Sequence, residues 1–256
     1  MGSSLHNISA IAGKELRGYF GSPMAWVTLG FFAVLFGYFY NVYLVMFVQS
    51  SMQNQLGRPS NVNTDMILPL LRNVCVLMLF LLPMITMRTY SEEKRSGTIE
   101  LLLTSPVTDL QIILGKLAGV LGLYLGMLAL TALDIVILYG LGRPEWRPIL
   151  GGYFGLLLLG ACFISLGLFI SSTTKNQMVA GAATFVVSLL FWIISWFADS
   201  AGPTAGAILN YLSVTEHFDD FAKGIIDTKH IVYYLSFIVF SLFLTLKSVD
   251  SERWRG

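Results

Sequence analysis

Six long apolar stretches dominate this 256-residue sequence and limit the folds open to it. They run over residues 24–48, 66–87, 112–140, 149–170, 178–197 and 231–246. A bilayer core needs about 20 apolar residues in a helix, because each backbone amide must find its partner within the segment. Only 12% of the residues are charged, against about 25% in soluble domains. The sequence therefore predicts one all-α membrane domain, residues 1–256, with six transmembrane helices.

Lysine and arginine are unevenly divided between the two sets of loops. With a cytoplasmic N-terminus, ten of them fall on the cytoplasmic side: Lys14, Arg17, Arg88, Lys94, Arg95, Lys116, Lys175, Lys247, Arg253 and Arg255. The opposite side holds five: Arg58, Arg143, Arg147, Lys223 and Lys229. Cytoplasmic loops retain positive charge, so both termini are predicted to be cytoplasmic.

A short amphipathic helix is expected over residues 5–20, ahead of the first span. Its apolar face is Ile8, Ile11, Ala12, Leu16, Tyr19 and Phe20, with Lys14 and Arg17 on the other side. This pattern is typical of a helix at the membrane interface. Glu15 lies on the apolar face, where a carboxylate costs free energy unless it has a partner.

The third span carries a stripe of glycines at helical spacing: Gly115, Gly119, Gly122 and Gly126. Glycines on one face let another helix approach closely, and such contacts stabilise helix pairs in membranes. The stripe favours packing within the chain, and a contact between subunits is the alternative.

Residues 203–229, between the fifth and sixth spans, contain a second amphipathic pattern. Ser213 and Glu216 have capping-box spacing, and apolar side chains follow at helical intervals: Val214, Phe218, Phe221 and Ile225. This helix is too short to cross the bilayer. It is expected at the outer side, either re-entrant or lying on the surface.

Two ionisable residues fall within the spans, Arg72 in the second and Asp134 in the third. Isolated charges there are costly, and both are at a similar depth from the outer side. Consecutive helices are usually neighbours, so we expect the two side chains to form an ion pair.

The segment between the second and third spans, residues 88–107, combines charge with a break. It reads RTYSEEKRSGTIELLLTSPV, a charged run followed by a glycine, a short helix and a proline. The pattern indicates a protruding structure suited to binding by another protein, although charge runs are more often simply solvated.

This segment, with the six-span layout, resembles the ABC-2 class of ABC-transporter permeases. The matching pattern is E-E-K-x-x-G-T-I-E-x-L-L-x-x-P-V followed by G-K. Within the class, the sequence is similar to the branch that contains the gliding-motility permease GldF and the copper-enzyme maturation permease NosY. Residues 218–228 add to the likeness. The resemblance implies the six-helix permease fold of type V exporters, in a bacterial inner membrane.

The resemblance also implies partners and residue roles. A separate cytoplasmic ABC subunit would bind ATP and magnesium, and a second permease copy or a related permease would complete the membrane part. A GldG-like periplasmic auxiliary membrane protein is a further candidate. The expected contacts to the ATP-binding subunit are Glu92, Glu93, Lys94, Arg95, Gly97, Thr98, Ile99, Glu100 and Leu102, with a second contact at Lys175, Asn176 and Gln177. An outer gate is expected at Glu216, Phe218 and Phe221, with the two rings as plugs.

The sequence lacks a G-x-x-x-x-G-K-[ST] phosphate loop, so ATP would have to be hydrolysed on another chain. Its three histidines, His6, His217 and His230, are not at metal-ligand spacing, and no cofactor bound directly is expected. Net charge is close to neutral and gives no argument for nucleic acid. Two functions remain open: a permease subunit of an ATP-driven transporter, or a non-transporting subunit that transmits force to a periplasmic or motility machine. An intramembrane enzyme or ion-coupled carrier is less favoured, because the spans lack clustered acids.

Overall fold

The structure is a computed structural model, and it describes residues 2–53, 61–103, 106–141, 144–198 and 200–253. Nearly all of these residues are in helices. A π-helical turn (Asn63–Ile67) precedes the third helix, and a 3₁₀ turn (Ile194–Phe197) follows the eighth. The α-helices are α1 (Gly2–Gly21), α2 (Pro23–Gln53), α3 (Leu68–Thr86), α4 (Ser91–Ser96), α5 (Ile99–Leu103), α6 (Asp109–Leu141), α7 (Trp146–Thr173), α8 (Gln177–Ile193), α9 (Pro203–Leu212), α10 (Val214–Ala222) and α11 (Thr228–Arg253).

Six of these helices, α2, α3, α6, α7, α8 and α11, coincide with the predicted spans. Among the described residues they are long and apolar enough to cross a membrane. The last is longer than predicted, because polar residues at both of its ends continue the helix from Thr228 to Arg253. A short helix, α9, was not foreseen.

Helix α7 is at the centre of the bundle. In its most apolar window 78% of the residues are buried, against 17% in α2 and α8, whose side chains are mostly exposed or half-buried. The long helices α3, α6, α8 and α11 and the short helix α10 pack on α7. Helix α4 contacts its C-terminal part and α10 its N-terminal part, so the bundle has an α4 end and an opposite α10 end.

Helix α1 runs alongside the first turns of α6, with its apolar face on the glycine stripe. A Cβ atom added at Gly115 would lie 2.6 Å from the Cβ of Ile11, and one at Gly119 would lie 2.6 Å from the Cβ of Glu15. Gly122 faces Leu16 in the same way. At these three positions the stripe packs against α1 of the same chain. The apolar face of α1 is thus covered in part by protein.

Helix α10 approaches α7 through a second glycine surface that the sequence reasoning missed. A Cβ atom at Gly151 would lie 2.6 Å from the carbonyl oxygen of Phe221, and one at Gly155 would lie 2.7 Å from the Cβ of the same residue. A larger side chain at either glycine would push α10 away from the bundle. The N-terminal half of α7 therefore fixes the position of α10.

The α1–α6 contact can be tested with two alanine substitutions on one stripe. Gly119→Ala places a methyl group against Glu15, and we expect it to lower the free energy of unfolding by about 1–3 kcal/mol, the usual cost of overpacking. Gly126→Ala is the matched control, because nothing lies within 4 Å of the added atom. Thermal unfolding of the purified protein in detergent measures both, and equal effects would contradict the described packing.

Candidate functional site

Lys116 of α6 carries a positive charge inside the α4 end of the bundle, with its side chain only 1% exposed. Its ammonium lies 2.7 Å from Glu15 Oε1 and 2.9 Å from Glu93 Oε2, and donates to the carbonyl oxygen of Thr89 at 2.8 Å. The contacts to Glu15 and Thr89 are hydrogen bonds, and the contact to Glu93 is an ion pair. The cluster joins α1, α4 and α6, and it supplies the partner that Glu15 was expected to need.

Two further groups complete this cluster. The ammonium of Lys14 lies 3.7 Å from Glu93 Oε1, so two cations face the two carboxylates. The hydroxyl of Tyr19 lies 3.3 Å from the hydroxyl oxygen of Thr89 and donates to the carbonyl oxygen of Ile85 at 3.4 Å. Burial raises the pKa of Tyr19, which keeps this hydroxyl protonated. Helix α1 is therefore bonded to the end of the second span as well as to α6.

The segment that contains α4 is also fixed to α7 and α11. Ser171 Oγ accepts hydrogen bonds from the backbone N–H groups of Tyr90 and Ser91, both at 3.1 Å, and donates to the carbonyl oxygen of Met87 at 3.0 Å. The ammonium of Lys94 donates to Glu252 Oε1 at 2.7 Å. With the Lys116 cluster, these bonds connect α4 to four longer helices.

The outer face of this region forms what we call the α4–α5 surface. Gly97, with φ of 73°, ends α4 in a left-handed turn that only glycine adopts readily, and α5 begins two residues later. The exposed residues of the surface are Glu92, Arg95, Ser96, Gly97, Thr98, Glu100 and Leu101. Five of the predicted contacts to an ATP-binding subunit, Glu92, Arg95, Gly97, Thr98 and Glu100, are therefore available on the outside.

Three other predicted contacts are not exposed, and their assignment is corrected. Glu93 is paired with Lys116, and Lys94 is buried and paired with Glu252. Ile99 is 8% exposed and belongs to the core of the chain, so it is not free to fill a partner's cleft. The side chain of Leu102 lies outside the described residues. Within this one motif, some side chains are thus bonded or buried inside the chain, and others are exposed.

The second predicted contact, Lys175 to Gln177, lies in the turn between α7 and α8, at the α4 end. Lys175 and Asn176 are exposed and Gln177 is half-buried. Asn176 Oδ1 accepts a hydrogen bond from the backbone N–H of Met178 at 3.0 Å and caps α8. Asn176 therefore has a structural role as a helix cap, and Lys175 is exposed beside it.

Near the α10 end, Arg72 of α3 forms a bidentate ion pair with Asp219 of α10. The guanidinium donates to the two carboxylate oxygens at 3.0 and 2.6 Å. The predicted pair of Arg72 with Asp134 is wrong: α3 packs on α7 and α8, whereas α6 packs on α1, α2 and α7. Similar depth did not bring the two helices together. Within the described residues no side chain pairs with Asp134.

A cavity of about 290 Å³ opens beside this ion pair. Aromatic side chains form much of its wall, and Asn73 Nδ2 donates to the hydroxyl of Tyr43 and to the carbonyl oxygen of Pro69. The lining includes Tyr43, Arg72, Asn73, Trp192, Trp196 and Asp219. The combination of rings with an ion pair suits an amphipathic molecule.

The rings predicted as plugs of an outer gate are instead part of the core. Phe218 is 2% exposed and Phe221 is fully buried. Both pack on Gly155 of α7, the close approach described above. Glu216, the third predicted gate residue, is exposed, and Ser213 does not cap the helix with its side chain. The amphipathic pattern of α10 thus reflects burial against α7.

Two histidines that the sequence reasoning set aside meet at the α10 end. The Nδ1 atoms of His217 and His230 are 2.6 Å apart, and His230 Nε2 lies 2.9 Å from Asp220 Oδ2. His217 and Asp220 are one helical turn apart on α10, a signal that was available in the sequence. His230 is 13 residues from His217, and only the fold brings it close.

Comparison with known proteins identifies relatives of this chain. It is 27% identical over 147 residues to the "Probable multidrug ABC transporter permease YbhR" of Escherichia coli K12, a match that covers 55% of this chain and 38% of that protein. The similarly named YbhS of the same organism is 27% identical over 164 residues, which is 62% of this chain and 42% of that protein. A "UPF0761 membrane protein" of Laribacter hongkongensis is 31% identical over 100 residues, covering 37% of this chain and 24% of that protein.

These matches span less than half the length of each relative. The sequence model of the family described as "ABC-2 family transporter protein" matches residues 9–247. This region contains all six long apolar helices up to the last turns of α11. The chain is therefore a multi-pass membrane protein that belongs to the ABC-2 family of transporter proteins.

Proposed function

We propose that this chain is the membrane subunit of an ATP-driven exporter. ATP and magnesium would bind to a separate cytoplasmic subunit, which docks on the α4–α5 surface. The observation that carries the proposal is that this surface is exposed while the residues behind it are fixed to α1, α6, α7 and α11. A protein that pulled on α4 would therefore act on most of the bundle at once.

The position of the α4–α5 surface also supports an orientation. The turn that contains Lys175 lies at the same end, and this end also holds Lys14, Arg88, Lys94, Arg95 and Lys116. Such a concentration of basic residues favours the cytoplasmic side. The α10 end would then face the periplasm, across a bacterial inner membrane. We extend the proposal to a second permease copy or a related permease as partner. On the coupling-segment resemblance alone, we also propose membership of the GldF and NosY branch, with a GldG-like protein as a further partner.

The cavity beside Arg72 is our candidate for a cargo contact. Its aromatic wall and its ion pair suit an amphipathic small molecule. The relatives YbhR and YbhS carry multidrug transporter names, and we propose cargo of a comparable size range for this chain. Movement of α10 away from α3 would open the Arg72–Asp219 pair and widen the cavity.

Charge reversal on the α4–α5 surface tests the docking proposal. Glu100→Arg changes the charge of an exposed position on α5 by two units, and we expect stimulation of the partner's ATPase to fall about tenfold or more, the effect of losing about 1.4 kcal/mol of binding. The measurement is ATP hydrolysis by the reconstituted complex in lipid vesicles. Arg17→Glu is the matched control, because it reverses an exposed charge on α1, which is not part of this surface. Unchanged stimulation by Glu100→Arg, with normal insertion, would contradict the docking proposal.

A pair of double-mutant cycles tests the contact between α3 and α10. Arg72→Gln and Asp219→Asn remove the two ends of one ion pair, so their effects on unfolding free energy should show a coupling of about 1 kcal/mol. The control cycle combines Arg72→Gln with Asp134→Asn, whose side chains are on helices that are not neighbours. We expect additive effects there. Coupling in the control cycle and not in the first would restore the rejected Arg72–Asp134 pair.

A further inference from the structure

The histidines of the α10 end lie in a small, largely enclosed site between α10 and α11. His217 is 4% exposed and His230 is 5% exposed. Besides their mutual contact, His217 Nε2 lies 2.9 Å from the carbonyl oxygen of Tyr211, and its ring stacks on Tyr233 with centroids 3.9 Å apart. All four ring nitrogens therefore have a neighbour within hydrogen-bond distance.

The identity of these neighbours fixes how many protons the two rings hold. A carbonyl oxygen only accepts, so His217 Nε2 must carry a hydrogen. A carboxylate also only accepts, so His230 Nε2 carries one opposite Asp220. A neutral imidazole has one N–H. If both rings were neutral, both of these hydrogens would be on the Nε2 atoms. Two bare Nδ1 lone pairs would face each other at 2.6 Å, which is a repulsive arrangement at hydrogen-bond distance.

We propose that His217 and His230 form a binding site for one proton, which holds α10 against α11. With that proton bound, His230 is an imidazolium that donates to Asp220 and to His217 Nδ1. His217 is neutral and donates to Tyr211. The three side chains of Asp220, His217 and His230 together are then uncharged. Loss of the proton would leave the two Nδ1 atoms without a hydrogen between them.

The surroundings are consistent with this division of roles. Burial lowers the pKa of His217, which keeps that ring neutral beside a charged neighbour. The charges that act on it are His230 and Lys229, which lower its pKa further, and Asp220, which raises it. Lys223 lies 3.8 Å from Asp220 on the outer side. Asp227, which directly precedes α11, carries a charge that interacts with His230. The other contacts are rings: Tyr211, Tyr233 and Tyr234, which border His217, and Phe221, which borders His230.

The consequence concerns the position of α10. At acidic pH the bound proton joins the two helices, and as the pH rises its release removes this bond. Because the site involves only this chain, the inference does not depend on the cargo or on the ATP-binding partner. It adds a response to pH at the α10 end, the end we assign to the periplasm.

Nitrogen NMR of the full chain in lipid nanodiscs, with ¹⁵N-labelled histidine and EDTA present, tests the proton count. The sequence has three histidines, and His6→Gln removes the one on α1, which leaves the two of the pair. At pH 5 we expect one doubly protonated ring and one neutral ring, and at pH 9 two neutral rings. Two neutral rings at pH 5, or two doubly protonated rings, would overturn the proposal.

Hydrogen exchange of the α10 amides tests the mechanical consequence in the same samples. After correction for the intrinsic pH dependence, we expect protection to fall about tenfold or more from about pH 6.5 to pH 9, equivalent to a loss of about 1.4 kcal/mol. The comparison starts at the pKa of a free histidine, because at lower pH the buried, neutral His217 would itself weaken the closed state. In His230→Gln, whose side chain cannot bind a proton, protection should change less than about twofold. An equal pH dependence in both proteins would show that the pair does not hold α10.

Discussion

The structure of the α4 end depends on the contacts that the buried ammonium of Lys116 makes with α1, α4 and the segment before α4. A buried cation is tolerated only when carboxylates and hydrogen-bond acceptors replace water, and Lys116 has Glu15, Glu93 and the carbonyl oxygen of Thr89. Removing one member of such a group typically costs about 3–5 kcal/mol, because the others remain buried without a partner. This requirement determines where α1 must lie and where the chain must turn after the second span. The α4–α5 surface is exposed because its base is fixed in this way.

The two ends of the bundle are joined through α7. The hydroxyl of Ser171, near its C-terminal end, accepts hydrogen bonds from two backbone N–H groups at the start of α4. Near its N-terminal end, Gly151 faces the backbone of Phe221, and Gly155 faces the rings of Phe218 and Phe221. Such short, close-packed contacts leave little room for adjustment. A displacement at the α4 end can therefore reach α10 through one continuous helix.

The sequence predicted the features that depend on local pattern. The spans followed from length and hydropathy. The Thr-x-x-Gln pattern before α6 is typical of a capping box, and Thr108 and Gln111 form its two reciprocal bonds at 3.3 and 3.4 Å. The need of Glu15 for a partner was also correct, although Lys116 could not be named. These are properties of one helix or one helix end.

The features that failed depend on which helices are neighbours. Arg72 was assigned to Asp134 because consecutive spans usually adjoin, but α3 meets α10 in this bundle. Ile99 reads as a surface residue in the motif and is buried, because α5 packs back on the chain. The contact of His217 with His230 requires a reversal at Gly224, whose φ is 83°. No periodicity within a single helix contains this information.

Two adjacent residues of α10 make long-range contacts with two different helices. Asp219 bonds to Arg72 on α3, and Asp220 bonds to His230 on α11. Successive side chains of a helix point about 100° apart, so the two carboxylates hold α10 from different sides. If the pair with Arg72 opens first, α10 would turn about its contact with α11, and the cavity at α3 would widen. If the proton leaves first, α10 would remain bonded to α3, and the cavity would stay narrow. The order in which the two contacts break would therefore decide whether the α10 end opens.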